Sequence, residues 1–255
     1  MKVGFVTDTH FEGKNEWIAE LLNDIADIFQ EKGVDTVIHL GDIAHGGPTE
    51  AYTERVTAVA DIFSEFDFHM TLGNHDVQAM SSGEFEKRFN EPLVERVVET
   101  EAASVIKMNS ATTVTLPDTE GVTPVGHIPE TGVDMVIEDL KQEKRVILCT
   151  HYPIQYTEVY QEGLYFDVRP EYTFPVNKSQ FGARLMKADV DVSNLEMYCG
   201  HLHPDETRRI SAKPFGIQMN IVEAIRLFGL SEDGDDIVWK ENSGPEVNDL
   251  IAKMD

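Results

Sequence analysis

Basic residues are scarce in this chain: 21 Lys and Arg stand against 46 Asp and Glu, a formal net charge of −25 over 255 residues. That balance leaves no broad basic face of the kind that non-specific binding to duplex nucleic acid needs. It fits a solvated acidic surface that keeps the protein dispersed. Adaptation to a saline medium, where such charges are screened, is the sharper alternative. Cysteine is nearly absent. Cys149 and Cys199 each lie in an apolar run two residues before a histidine. They read as small apolar core residues, whose thiols would be close if their strands are neighbours, and a disulfide is not expected in a reducing compartment. No apolar run approaches the roughly 20 residues a membrane helix needs. The first strand pattern starts at Lys2, which leaves no room for a signal peptide. A cytoplasmic protein with no membrane partner is the expectation. Repeats, low-complexity segments and linkers are missing too, so a single domain over residues 1–255 is expected.

What is present is a set of short apolar runs, each followed by metal-binding residue types. The runs are Val3 to Val6, Thr36 to Leu40, His69 to Leu72, Val146 to Cys149 and Leu195 to Cys199. Each reads as a buried strand. Between the first three lie helical patterns, from Asn15 to Glu31 with Trp17, Ile18, Leu21, Leu22, Ile25, Ile28 and Phe29 on one face, and from about Thr49 to Glu65 with Val56, Val59, Ala60 and Phe63 inward. A β-α-β-α-β order argues for a largely parallel sheet with helical crossovers, hence an α/β fold. Further along, 104–116 and 122–126 read as shorter antiparallel strands, 134–142 as a short helix and 145–150 as a buried strand. Strands at 206–211, 215–222, 224–230 and 236–240 suggest a meander with a turn at Asp233-Gly234, and 245–253 a terminal helix. The whole suggests two sheets covered by helices. The stretch from Tyr152 to Gln180 fits neither strand nor helix and is rich in aromatics. It either pins a loop to the body or a second subunit, or walls a substrate site.

After the strands come Asp8-Thr9-His10, Gly41-Asp42, Gly73-Asn74-His75-Asp76, His151 and Gly200-His201-Leu202-His203. Ligands at the carboxyl ends of neighbouring strands converge on one crevice. Strand alternation would point Asp8 and His10 the same way, with Thr9 away, and likewise His201 and His203. Asp42 can offer an oxygen to each of two cations, and Asn74 a neutral amide oxygen. Mixed nitrogen and oxygen donors without thiolate suit manganese, iron, zinc or cobalt rather than calcium or cuprous copper. Two divalent ions against the carboxylates of Asp8 and Asp42 keep a charge of about +2, a positive point that attracts a phosphate ester and can hold a hydroxide. His75 is the candidate proton donor to a leaving alkoxide, and Asp76 the carboxylate that orients its ring. His45, in the Gly-rich loop after Asp42, is a candidate substrate contact. His39 and His69, inside strands, read as buried, satisfied histidines.

These motifs resemble the signature of the calcineurin-like metallophosphoesterase superfamily. The resemblance spans residues 8 to 203 and implies a four-layer α/β/β/α sandwich of two mixed sheets flanked by helices, with a di-metal centre between the sheets. It implies that Asp8, His10, Asp42 and His203 hold one metal, that Asp42, Asn74, His151 and His201 hold the other, and that His75 is the acid. Two divalent ions are the implied cofactors, manganese foremost, with iron, zinc, cobalt or nickel as alternatives. Asp76 stands where the protein Ser/Thr phosphatases usually carry Glu, and 43–47 reads Ile-Ala-His-Gly-Gly. The chain is thus more similar to the phosphodiesterase and nuclease branches, and His45 resembles a position that repair exonucleases fill with His or Asp.

Three functions follow as alternatives. The first is a phosphodiesterase of nucleotides or other small phosphate esters, with Tyr156, Tyr165 or Phe174 stacking on a base and Arg169, Arg208 or Arg209 gripping phosphate. The second is a manganese-dependent DNA exo- or endonuclease resembling the double-strand-break repair nucleases. The third is a non-catalytic scaffold of the same fold, disfavoured by the full ligand set. The sequence leaves oligomeric state open.

Overall fold

The computed structural model describes residues 1–13, 16–115, 122–154, 177–201, 209–212, 217–221, 225–230 and 237–240. The expectations for 155–176, for His203 and Arg208, for the Asp233-Gly234 turn and for a terminal helix lie outside the described residues.

The first three strands, β1 (Lys2–Val6), β2 (Thr36–His39) and β3 (Asp67–Met70), alternate with α1 (Glu16–Lys32) and α2 (Thr49–Ile62). They pair in parallel, Val3 beside Thr36 and Thr36 beside Asp67. Two short helices follow, α3 (Asn74–Ala79) and α4 (Ser82–Phe89), then β4 (Val94–Glu99), β5 (Ala103–Met108) and the hairpin of β6 (Ala111–Val114) with β7 (Thr123–Gly126). Helix α5 (Glu130–Lys141), β8 (Arg145–Thr150), α6 (Lys178–Ala188) and β9 (Leu195–Cys199) come next. The last strands are β10 (Arg209–Ala212), β11 (Ile217–Ile221), β12 (Ile225–Leu230) and β13 (Ile237–Lys240). One sheet runs β13-β12-β1-β2-β3 and the other β10-β11-β9-β8-β5-β4. No helix among the described residues is long and apolar enough to cross a membrane.

Alternation along the strands sorts their side chains into three cores, and those cores define four layers. Val3 and Phe5 of β1, Ile38 of β2, Ile147 and Cys149 of β8 and Tyr198 of β9 meet between the sheets. Val6 and Val37, on the other face of the first sheet, pack against Leu22, Ile25 and Phe29 of α1 and Val56 and Val59 of α2. Val146, Leu148 and Met197, on the far face of the second sheet, meet Val136 and Leu140 of α5 and Phe181 and Leu185 of α6. A strand buried on both faces has no polar side to show, which is why these runs read as continuous apolar stretches.

Several details differ from the sequence expectation. The stretch 104–116 is two strands, because Asn109 and Ser110 break it. The side-chain oxygen of Asn109 accepts the Ala111 N–H at 3.1 Å, and β5 runs parallel to β8. The late strands form no single meander: β11 pairs with β9 in the second sheet and β12 with β1 in the first. Cys149 and Cys199 lie on adjacent strands, yet they face opposite sides of the sheet and belong to different cores. Burial pushes both thiols well above their ordinary range, so neither is a ready thiolate.

Where the outer strands β3 and β4 approach, an ionic seam joins the two sheets. Fully buried Lys107 pairs with Glu91 and, at 3.5 Å, with Glu95. His69 Nδ1 lies 3.4 Å from Glu95 and 3.7 Å from Glu91, and its Nε2 lies 3.2 Å from Asp67. His69 is thus not a fully buried core residue but a member of this seam, where burial is outweighed by the Glu91 and Asp67 carboxylates, which raise its pKa.

Candidate metal centre

Strand alternation does not orient Asp8 and His10. β1 ends at Val6, and both residues then take left-handed backbone, at φ 51° and 43°. Asp42, beyond β2, sits at φ 52°, and His201, beyond β9, at φ 73°. Four of the seven non-glycine residues with positive φ among the described residues are therefore candidate ligands. Each such step costs an L-residue on the order of 1 kcal/mol, least for Asn, Asp and His. Bonds between the loops hold it: the Asp8 N–H donates to Gly41 C=O and the His10 N–H to Asp42 C=O, both at 3.0 Å.

Two buried polar side chains stitch the first-sheet loops together. His39 accepts the Gly41 N–H on Nδ1 at 3.2 Å. Its Nε2 therefore carries the proton and donates to Thr9 Oγ1 at 3.0 Å, and that hydroxyl donates on to Ile43 C=O at 2.7 Å. Burial lowers the His39 pKa to about 3, so the ring stays neutral. Asp76 joins the next two loops. Its carboxylate accepts from Gly73 N at 2.8 Å, Ile43 N at 3.1 Å, Ala44 N at 3.3 Å and the Tyr52 hydroxyl at 3.0 Å. Burial, then the Asp42 charge, push the Asp76 carboxyl up to about 7, against the pull of those backbone donors. The orienting bond expected from Asp76 to the His75 ring is not the one it makes: the carboxylate points inward and clasps backbone.

The motif glycines are there because the loops approach so closely. A Cβ on Gly73 would lie 2.1 Å from Asp42 Oδ1, and one on Gly200 2.1 Å from Thr7 Oγ1 and 2.4 Å from Asp8 Oδ2. The second-sheet side meets the first through these contacts. The His201 N–H donates to the Asp8 carboxylate at 3.1 Å, and Thr7 Oγ1 donates to the same carboxylate at 2.6 Å. Ser110 Oγ, fully buried, accepts the N–H groups of His151 at 3.1 Å and Tyr152 at 2.9 Å.

Six of the seven expected metal ligands fall within the described residues, and the fold brings them together. Ligand atoms of Asp8, His10 and Asp42 lie within 4.8 Å of one another, and so do those of Asp42, His151 and His201. Asp42, 2% exposed, belongs to both groups: its Oδ2 is 3.7 Å from His10 Nε2 and 3.6 Å from His151 Nε2. Its Oδ1 accepts the His75 N–H at 2.9 Å. His151 Nδ1 faces Leu40 C=O at 2.9 Å and so holds the ring proton, which leaves Nε2 a lone pair aimed at the site. Around that lone pair stand Asn74 Oδ1 and His201 Nδ1, both at 3.2 Å, with Asp42 Oδ2 just beyond. The Asp42 carboxylate, the Asn74 amide oxygen and the ring nitrogens of His151 and His201 thus converge as an oxygen–imidazole donor set, which fits a borderline divalent ion.

His75 is half-buried beside this set, its ring centroid 4.8 Å from that of His10 and 5.2 Å from that of His45. His45 is exposed and stacks on His75 at an interplanar angle of 29°. Arg55 Nη1 holds its loop by donating to the carbonyls of His45 at 2.7 Å and Gly46 at 3.0 Å. Tyr156, Arg169, Arg208 and His203 lie outside the described residues. The sequence reading missed Tyr52, Ser110 and Arg55, and gave His39 no part in the site. Only Tyr52 carried a signal. It falls four and seven residues before Val56 and Val59 on the inward face of α2, and a buried hydroxyl needs a partner.

The family model for calcineurin-like phosphoesterases matches residues 1–205. No curated protein matches the sequence. Among solved structures, a dimetal phosphatase from Danio rerio superposes with a TM-score of 0.68 at 14% identity, over 91% of this chain and 93% of that one. A protein from Thermus thermophilus gives a TM-score of 0.53 at 9% identity, over 94% and 98%. A purple acid phosphatase from yellow lupin (Lupinus luteus) seeds gives 0.53 at 15%, over 96% of this chain and 46% of that one. At these identities the likeness is one of fold.

Proposed function

Because this chain belongs to the calcineurin-like phosphoesterase family, we propose that it is a phosphodiesterase whose reaction runs at the crevice between the two sheets. The observation that carries the reading is Asp42, with one carboxylate oxygen placed between His10 and His151 so that both ligand groups share it. In this reading Asp8, His10, Asp42 and His203 hold one ion and Asp42, Asn74, His151 and His201 the other, with manganese the first choice. When bound, such a pair supplies a hydroxide at neutral pH and charge to stabilise an in-line displacement.

The chain's own residues do the rest. His75, its backbone fixed by the Asp42 carboxylate, presents its ring at the rim and donates a proton to the departing ester oxygen. His45, exposed against it, contacts the substrate phosphate. Tyr156, Arg169 and Arg208 are the further substrate contacts proposed from sequence. A diester brings one negative charge where a monoester brings two. The rim formed by His10, His45 and His75 is imidazole, and the guanidinium of Arg55 is directed at loop carbonyls rather than at the crevice. Among the described residues, this imidazole rim suits the smaller charge. The acidic surface, at −25, disfavours a duplex DNA substrate.

The test is a panel of bis-p-nitrophenyl phosphate, p-nitrophenyl phosphate, cyclic nucleotides and linear DNA, each with defined Mn²⁺. Diester turnover exceeding monoester turnover is the expected result. Monoester turnover alone would overturn the diester reading and bring the chain nearer the Danio rerio relative, described as a phosphatase. Cleavage of linear DNA that persists at raised salt would move it to the nuclease reading.

A further inference from the structure

Helix α2 carries no metal ligand, yet it grips Asp76 and the segments just beyond the Asp42 and Asn74 ligands at three points spaced three residues apart. Thr49 Oγ1 donates to Ala79 C=O at the end of α3, at 3.1 Å. The Tyr52 hydroxyl donates to Asp76 at 3.0 Å. Arg55 Nη1 donates to the carbonyls of His45 and Gly46. A spacing of three puts these side chains along one edge of the helix. The middle grip is the buried one: Tyr52 and Asp76 are both fully buried.

We propose that Tyr52 is a positioning residue of the metal centre, holding Asp76 so that its carboxylate sets the distance between the Asp42 loop and the Asn74 loop. This rests on the metal-dependent reading above. Asp76 Oδ1 receives the Tyr52 hydroxyl together with the N–H groups of Ile43 and Ala44, which follow Asp42 directly. Asp76 Oδ2 receives the Gly73 N–H, which precedes Asn74, and shares the Ile43 N–H. Both loops therefore hang on one carboxylate. The ring of Tyr52 lies in the core between α2 and the first sheet, so the hydroxyl arrives from a rigid body rather than from a loop. Without it the carboxylate keeps its backbone donors but loses, among the described residues, its one hydrogen bond to helix α2. A buried acceptor left short of a donor shifts to recover one, and the Asp42–Asn74 spacing shifts with it.

The experiment compares Tyr52→Phe, which removes only the hydroxyl, with Val56→Ala, which opens a cavity in the same core but removes no hydrogen bond to Asp76. Calorimetric titration of Mn²⁺ into metal-free full-length protein reads affinity, and thermal unfolding reads stability. Tyr52→Phe should weaken Mn²⁺ binding on the order of tenfold, as loss of a support for metal ligands does. Its kcat should fall at limiting Mn²⁺ and recover at excess, with KM for bis-p-nitrophenyl phosphate unchanged. Val56→Ala should lower Tm and leave Mn²⁺ affinity intact. Wild-type affinity in Tyr52→Phe, or an equal loss of affinity in Val56→Ala, would overturn the positioning role while leaving the metal centre standing. A wild-type protein that binds no divalent ion would overturn the metal-dependent reading and this role together.

Discussion

The two halves of the candidate metal centre are built differently. The first-sheet half, from the loops at 8–10, 41–44 and 73–76, supplies both carboxylates and the amide. Three of its residues have left-handed backbone, and buried His39 and Asp76 cross-link it from behind. The second-sheet half supplies the imidazoles of His151 and His201. Its supports are simpler: Ser110 under the His151 backbone, Leu40 C=O on the His151 ring, and the Asp8 carboxylate on the His201 N–H. The difference follows from charge. Ionised carboxylates brought together repel and lose solvation, so their backbone must be over-determined. Neutral imidazoles bring no such repulsion, and one bond per ring sets the tautomer.

That contrast makes Asp42, common to both halves, the most damaging residue to change. Asp42→Asn should lower activity at least about 10³-fold, at or beyond the cost of one preorganised charge-stabilising group, and should weaken both ions. Metal analysis beside the rate measurement checks it. Retained activity with a full metal content would remove Asp42 from the shared position. Ser110→Ala should act on the second half alone, lowering affinity for one ion about tenfold while sparing the other. Calorimetry resolves the two binding events, and equal weakening of both would show that the halves are not separable. The smallest effect lies outside the centre, in the seam. Burial alone would lower the His69 pKa, yet the Glu91 and Asp67 charges hold it above its ordinary 6.5. A raised histidine pKa contributes stability that is complete below the unfolded value and lost as pH rises through the folded one. Wild-type Tm should therefore fall slightly across that window. His69→Gln should lack the step, and an unchanged pH profile in that variant would place the proton elsewhere.

Much of this was legible in the sequence. The parallel β1-β2-β3 core and its two crossover helices follow from apolar runs and amphipathic stretches that are continuous in the chain. Six ligands are recognisable because each lies two to four residues past the end of such a run. The expected mechanism of their convergence was not right. Alternation accounts for side chains inside a strand, whereas Asp8, His10 and Asp42 lie past its end, where left-handed φ decides direction. Asp76 misled for a related reason. Its neighbour in sequence is His75, but its partners are 24 to 33 residues away in the Asp42 loop and helix α2, apart from Gly73. Ser110 had no signal, since a serine between two strands looks like any loop residue until the His151 N–H arrives from 41 residues further on.

The sequence by itself determined the family, the layer-forming elements and the chemical identity of the donors, because residue type and strand-end position are local properties. Only the tertiary structure decided which oxygen of Asp42 faces both imidazoles, which nitrogen of His151 faces the site, and that Tyr52 and His39 stand behind the site. Those depend on hydrogen bonds between segments far apart in the chain, and a buried donor or acceptor pairs with whatever the fold brings within about 3 Å.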